Sequence, residues 1–308
     1  MSSRTAWADA LRRWLTAGRV GVAGIAVVLG ACVSITADPR AILAGPDGVE
    51  VRTLPCEAAL GAARRWFPAA PAGAAIDPAR LRILTWNIHK QDDAGWDADL
   101  ARFAASHDIV LLQEVTLADD LTGILRREGL RWVMASSFIY NGTDVGVVTA
   151  ARAPTVAHCT QRVVEPLIRL PKSSVVTWFP LRGSDKLLAV ANLHSINFAL
   201  TLDAYEEQFA GIVDVLAHHD GPMIVAGDLN TWTDARTVAL ADVARKLGLV
   251  EIPFESGRSR FLGREVDHIL VRGLSVQSAA AIPVRSSDHN PVQAVLRVTA
   301  APFATALP

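Results

Sequence analysis

Gly221-Pro222-Met223-Ile224-Val225-Ala226-Gly227-Asp228-Leu229-Asn230 decides the reading of this chain. The apolar core of the segment has strand length, opens on a helix-breaking Gly-Pro and closes on two polar side chains. Upstream, Leu202, Tyr205, Phe209, Ile212, Val213 and Leu216 recur at three- and four-residue steps and predict a helix over 201–218. Downstream, 235–247 shows helical spacing again. Helix, strand and helix in succession predict a layered α/β domain.

The pattern extends outward over 81–298. Strand-length apolar runs appear at 81–86, 109–113, 145–150, 174–179, 187–193, 266–271 and 292–298, with helical spacing at 95–106 and 119–128. Polar residues stand at the strand ends. Asn87 follows Ile83-Leu84-Thr85-Trp86, and Glu114 follows Leu111-Leu112-Gln113. His194 follows Ala191-Asn192-Leu193. Asp228 and Asn230 follow Val225-Ala226-Gly227. Asp267 and His268 follow Val266. Asp288 and His289 lie in Ser286-Ser287-Asp288-His289-Asn290-Pro291. Side chains of this kind, each abutting an apolar strand, predict loops converging at one rim of a sheet core.

Their chemistry narrows the reaction. Glu, Asp and Asn oxygens without thiolates suit a hard cation, Mg2+ or Mn2+. Histidines and spare carboxylates beside it can move protons and offset charge. Together these describe phosphodiester hydrolysis. No Gly-rich phosphate loop is present in the sequence, which argues against nucleotide-driven transfer.

The ordered series WN, QE, NLH, GDLN, VDH and SDHNP resembles the endonuclease/exonuclease/phosphatase superfamily over about residues 81–298. The finer motifs (WNIHKQ, LLQEV, GPMIVAGDLN, SSDHNP) most resemble its bacterial YafD-like branch. The resemblance implies a four-layer α/β sandwich, two facing mixed β-sheets flanked by helices. It implies that Glu114 is the principal metal ligand, with Asn87 and Asp288 close to metal and phosphate. Asp228 would position or deprotonate the attacking water, and Asn230 would hold its geometry or a phosphate oxygen. His289 would stabilise the crowded phosphoryl group, with Asp267 behind it fixing its tautomer. His194 resembles a second catalytic histidine that protonates the leaving oxygen.

Two departures disfavour abasic-site repair. His89 stands where those endonucleases carry an acid, and His194 stands where they lack a histidine. A carboxylate is expected behind His194, and Asp144 is the nearest candidate. His268, next to Asp267 on a strand, points to the opposite face and reads as structural. His218 and His219 close a helix and read as solvated caps. Trp232, Asn197 and Lys172 are candidates for substrate contact, with surface or packing roles as the alternative. Lys90 stands in the same position.

The chain has 308 residues, 51% hydrophobic and 20% charged, enough for a large core and unlike a disordered chain. Residues 80–308 carry 22 basic and 25 acidic side chains, without the surplus that binds a duplex backbone tightly. Residues 1–19 are basic and Val20–Ala37 carries no charge. This is the layout of a signal peptide or amino-terminal anchor, which places the remainder on the periplasmic or outer side. A buried soluble helix, with a cytoplasmic protein, is the alternative. Leu29-Gly30-Ala31-Cys32 resembles a lipobox with Cys32 as the acylated residue. Residues 38–79, with Pro68, Pro71 and Pro78, read as a linker, 80–298 as the domain and 299–308 as a flexible tail. Three cysteines exclude a disulfide scaffold and any four-cysteine metal site. With Cys32 set aside, Cys56 and Cys159 either pair after export or remain buried thiols.

The reading is a metal-dependent phosphodiester hydrolase, tethered at a membrane and monomeric, with no protein partner expected. Its substrate is nucleic acid or a phospholipid or small-molecule phosphodiester. The alternative is a membrane-attached pseudoenzyme that binds a phosphorylated partner without cleaving it. Retention of every motif residue argues against that alternative.

Overall fold

The computed structural model describes residues 33–45, 48–53, 55–66 and 75–299. The uncharged run and Cys32 fall largely or wholly outside them, as does the tail. Among the described residues, no helix is long and apolar enough to cross a membrane.

Side-chain parity along the strands builds the layers. β4 (Leu81–Asn87) runs parallel to β5 (Ile109–Thr116), with Asn87 opposite Gln113. Leu84, Trp86, Val110 and Leu112 point outward. They pack on Leu100 and Phe103 of α2 (Trp96–Ser106) and on Leu121 and Leu125 of α3 (Asp119–Arg127). Ile83, Ile109 and Leu111 point the other way, onto Leu188, Val190, Ile224 and Ile269 of a second sheet. Such alternation is the period-two rule of strands.

The second sheet centres on β10 (Leu187–His194) and β11 (Met223–Asp228), which are parallel, with β15 (Asp267–Arg272) antiparallel to β11. Ala191, Leu193, Met223 and Val225 pack outward among residues of α1 (Cys56–Arg64), α4 (Asp203–Leu216) and α5 (Asp234–Leu247). The result is an α/β sandwich with two mixed sheets flanked by helices. Each leucine or isoleucine buried between its layers contributes about 1.5–3 kcal/mol.

Around these centres, β4 and β5 are joined in one sheet by β16 (Leu274–Ala281), β17 (Val292–Val298), β7 (Thr143–Ala151), β6 (Arg131–Tyr140), β2 (Ala41–Gly45) and β3 (Gly48–Arg52). Their order is β16-β17-β4-β5-β7-β6-β2-β3, and β1 (Val33–Ser34) pairs with β6. The second sheet adds β12 (Val250–Glu251), β9 (Pro171–Pro180) and β8 (Ala157–Val164), in the order β12-β15-β11-β10-β9-β8. A small ribbon, β13 (Arg260–Phe261) and β14 (Arg264–Glu265), stands apart.

The stretch expected to be a linker is only partly one. Residues 41–45 and 48–52 form a hairpin that extends the first sheet through β6, burying Ala41 and Ile42. The alanine-rich segment after it is α1, whose Ala59 and Ala63 are buried in the core of the second sheet. Small side chains read as flexible there because they leave no periodic apolar signal, yet they allow close packing.

A polar bridge crosses the gap between the sheets. Gln113 Nε2 donates to Asn192 Oδ1 at 2.7 Å, and Asn192 Nδ2 donates to the Val148 carbonyl at 2.9 Å. Both residues are fully buried. This bridge lies one step below the row of residues at the strand ends.

Candidate active site

The strand register places the acids and one histidine in a line. His194 pairs with Asp228 across β10 and β11, and Asp228 pairs with Asp267 across β11 and β15. Paired residues project to the same face, and parity makes that face the inner one. Gly227 precedes Asp228 with φ +142°, and a Cβ there would lie 2.0 Å from the Leu193 carbonyl oxygen, so only glycine fits. From the facing sheet, Asn87 Nδ2 donates to Asp228 Oδ2 at 3.0 Å, closing the row from above.

His289 arrives from the loop before β17. Trp86 Nε1 donates to its carbonyl at 3.0 Å, Ser287 Oγ donates to the Asn87 carbonyl at 2.7 Å, and the His289 amide donates to Ser287 Oγ at 3.0 Å. Its Nδ1 donates to Asp267 Oδ2 at 2.8 Å and its Nε2 lies 3.9 Å from Asp228 Oδ2. Burial opposes charge on this imidazole. The fields of Asp267 and Asp228 and the hydrogen bond to Asp267 outweigh it and raise its pKa to about 10.

His194 is held in the opposite state. Burial and the nearby Lys172 ammonium push its pKa down to about 4, against the pull of Asp228 and Glu114. Lys172 Nζ donates to His194 Nε2 at 2.9 Å. Asp228 Oδ2 lies 3.5 Å and Glu114 Oε1 3.7 Å from the same nitrogen. Asp144, the carboxylate expected behind His194, is elsewhere: it accepts from Arg40 and Ser136. Arg40 falls in the stretch that reads as linker, so this partner carries no signal in the sequence.

Glu114 sits on an irregularity of β5, between Leu112 and Val115, with φ +54°. A bulge of this kind re-aims a side chain at a cost in backbone strain. Burial disfavours its charge, yet His194, Lys172 and Lys90 hold its pKa well below the usual carboxylate range. Lys90 Nζ donates to its Oε2 at 2.5 Å. Asn87 Oδ1 accepts from the His89 amide at 3.0 Å. The Asp288 side chain is 61% exposed at the rim, with His89 Nδ1 3.9 Å away.

Among the described residues, no three His, Cys, Asp or Glu side chains close on one point that could hold a metal. Glu114 nevertheless fits a hard cation. It is an ionised carboxylate at a cleft, paired here with Lys90, and Mg2+ is commonly bound by one or two carboxylates with waters and substrate oxygens.

Asn230, at φ +48°, donates through Nδ2 to the Ser195 carbonyl at 3.0 Å. Trp232 Nε1 donates to Asn197 Oδ1 at 2.9 Å, so these two substrate-contact candidates brace each other. Two further residues support the loop: Arg236, which carries no signal in sequence, and His268, which reads there as structural. Arg236 is buried and its Nη1 donates to the carbonyls of Ile196 at 2.8 Å and Asn230 at 3.0 Å, its Nη2 to that of Asn197 at 2.8 Å. His268, on the face away from Asp267, links Glu251 at 2.7 Å and Thr231 at 2.6 Å. An arginine near a helix start reads as surface charge until tertiary contacts show three carbonyls around it.

Away from the site, Cys56 of α1 and Cys159 of β8 are joined by a disulfide, Cα–Cα 4.9 Å. His218 is exposed and lies 3.0 Å from the Asp214 carbonyl, a helix-end cap. His219 is not solvated as expected. It is buried, with Nε2 3.1 Å from the Pro222 carbonyl, and burial lowers its pKa to about 4.

Two facing mixed sheets with acids and histidines at one end of the gap between them form the fold of phosphodiesterases and nucleases. Residues 84–289 match the Endonuclease/Exonuclease/phosphatase family, and the chain belongs to it. It is 39% identical over 227 residues to a UPF0294 protein of Klebsiella pneumoniae strain 342, covering 73% of this chain and 85% of that one. The endonuclease/exonuclease/phosphatase of Bacteroides vulgatus shares the fold with a TM-score of 0.57 at 18% identity, over 71% of this chain and 99% of that one. The corresponding protein of Beutenbergia cavernae gives 0.56 at 21% identity, over 73% of each chain.

Proposed function

We propose that the chain hydrolyses a phosphodiester by water attack. One observation carries the reading: His289 lies between Asp267 and Asp228, carboxylates from paired strand positions, with Asn87 reaching Asp228 from the other sheet. Asp228 is the group beside which a water can lose its proton. The imidazolium of His289 faces the same point and offsets charge developing on the phosphoryl oxygens. Asp267 keeps that ring oriented and protonated. Asn230 and Asn87 position oxygens. His194 enters neutral, so a proton for the leaving oxygen comes through its contact with Lys172.

Glu114, with Asn87 on the neighbouring strand, would hold Mg2+ or Mn2+, which when bound supplies positive charge to a phosphoryl oxygen. The pattern of motifs favours the YafD-like branch. The uncharged run Val20–Ala37, the lipobox-like Cys32 and a disulfide suited to an oxidising compartment support a membrane-tethered domain on the periplasmic or outer side. The test is turnover of single- and double-stranded DNA, RNA, phospholipid vesicles and bis-p-nitrophenyl phosphate, with Mg2+, Mn2+ or EDTA. Metal-dependent cleavage absent from His289→Ala supports the reading. Well-folded protein that binds but cleaves none of these favours the binding-only alternative.

A further inference from the structure

A cavity of about 210 Å3 opens beside the proposed site. Its polar lining includes Glu114, Glu165, His194, Lys90 and Lys172, and its apolar lining includes Phe138, Val145, Ile168, Leu170 and Phe198. A site for a phosphate alone needs no such apolar chamber. The two loops that bracket it carry more apolar surface outward: Leu167 is 54% exposed, Ile168 44%, Phe198 48% and Leu200 88%. These loops are not loose. The Leu167 amide donates to the Phe198 carbonyl at 3.3 Å, and buried Glu165 accepts from the amides of both Asn197 and Phe198. Large side chains held outward by a rigid frame mark an interaction surface.

The start of the described chain says what covers it. β1 is antiparallel to β6, with Val33 opposite Tyr140, so the chain enters the domain at the tip of the β6–β7 hairpin. Phe138 and Val145, which pair across that hairpin, line the cavity. The uncharged run Val20–Ala37 thus leads to the same end of the molecule as the apolar mouth. We infer that this end faces a lipid surface and that the substrate is a lipid-borne phosphodiester. Its phosphate would reach Lys90, Lys172 and the acids while its apolar portion fills the chamber. The absence of a basic surplus on residues 80–308 fits this occupant better than a nucleic-acid backbone. The inference rests on the hydrolase reading for its substrate and on surface geometry for its orientation.

The test uses the full chain in a Cys32→Ser background, labelled with bimane at Leu200→Cys or, as a control on α5, at Val238→Cys. Val238 is 61% exposed on the outer helical layer. Each is mixed with phosphatidylcholine/phosphatidylglycerol vesicles containing a doxyl-labelled lipid. Quenching several times stronger at position 200 is expected. Equal quenching at both, or none at either, overturns the orientation. In parallel, the double variant Leu167→Ser/Leu200→Ser, neither residue lining the cavity, is assayed on phosphatidylglycerol vesicles and on bis-p-nitrophenyl phosphate. Turnover of the soluble diester should stay within about twofold, and vesicle turnover should fall about tenfold or more for each apolar side chain removed. Equal loss on both substrates, or faster cleavage of oligonucleotides than of vesicles by the unmodified chain, overturns the lipid substrate. If nothing is cleaved, the hydrolase reading and the lipid substrate fail together, and the quenching still decides the orientation.

Discussion

Asp228 and Asp267 stand directly opposite each other on adjacent strands, and the imidazole of His289 reaches both, at 3.9 Å and 2.8 Å. Two like charges in one row would repel each other, and the imidazolium between them resolves the conflict. The same arrangement makes His289 cationic where a phosphoryl group would gain negative charge.

Replacing Asp267 by Asn should therefore change the state of His289 rather than its place. Without that carboxylate, its pKa falls from about 10 toward the ordinary histidine value. Turnover at pH 8 should drop about a hundredfold or more, and the alkaline limb of the pH–rate profile should move to lower pH. An unshifted profile in a fully active variant contradicts the role.

The polar bridge between the sheets should be worth more than its distance from the chemistry suggests. Asn192→Leu leaves Gln113 and the Val148 carbonyl without their partner in a buried layer. Urea unfolding should show a loss of about 1–3 kcal/mol. A midpoint equal to that of the parent protein would show that the bridge contributes nothing.

His219 should make stability depend on mild acid. Its folded pKa of about 4 is depressed below the unfolded value near 6.5, so the unfolded chain binds the extra proton between them. Stability is then fully present above about pH 6.5 and declines as pH falls toward 4. In His219→Gln the slope of melting temperature against pH across that window should flatten, and an unaltered slope would assign the acid sensitivity elsewhere.

The disulfide closes a span of 103 residues between Cys56 and Cys159. Chain-entropy reasoning gives such a cross-link about 4.7 kcal/mol. Reductant should lower the melting temperature of the parent protein but not of Cys56→Ser. Amide exchange should show α1 releasing first, because its contacts are small alanines that hold poorly once the staple is gone.

How far the sequence could be read follows from what periodicity records. β4, β5, β10, β11 and their terminal Asn87, Glu114, His194 and Asp228 were legible because buried strands are continuous apolar runs with a polar stop. Strands β6, β8 and β16 were missed. β8 and β16 are edge strands that mix polar residues into the pattern, and Ser136 and Ser137 interrupt the apolar run of β6. Residues 41–64 were missed because their order comes from an edge pairing and a cross-link, neither of which has a local signature. Within the site, residue identities were legible but partnerships were not. Nothing in the spacing of Lys172 and His194, Lys90 and Glu114, or Arg236 and the loop carbonyls announces that they meet.

Turnover of bis-p-nitrophenyl phosphate by the parent chain and by Asp228→Asn tests whether Asp228 activates the attacking water. The assay is run with Mg2+, with Mn2+ and with EDTA, and circular dichroism confirms that both proteins are folded. Metal-dependent turnover in the parent, lowered about a hundredfold or more in the variant, is the predicted result. Near-equal turnover by the two proteins would remove Asp228 from the reaction and contradict the account.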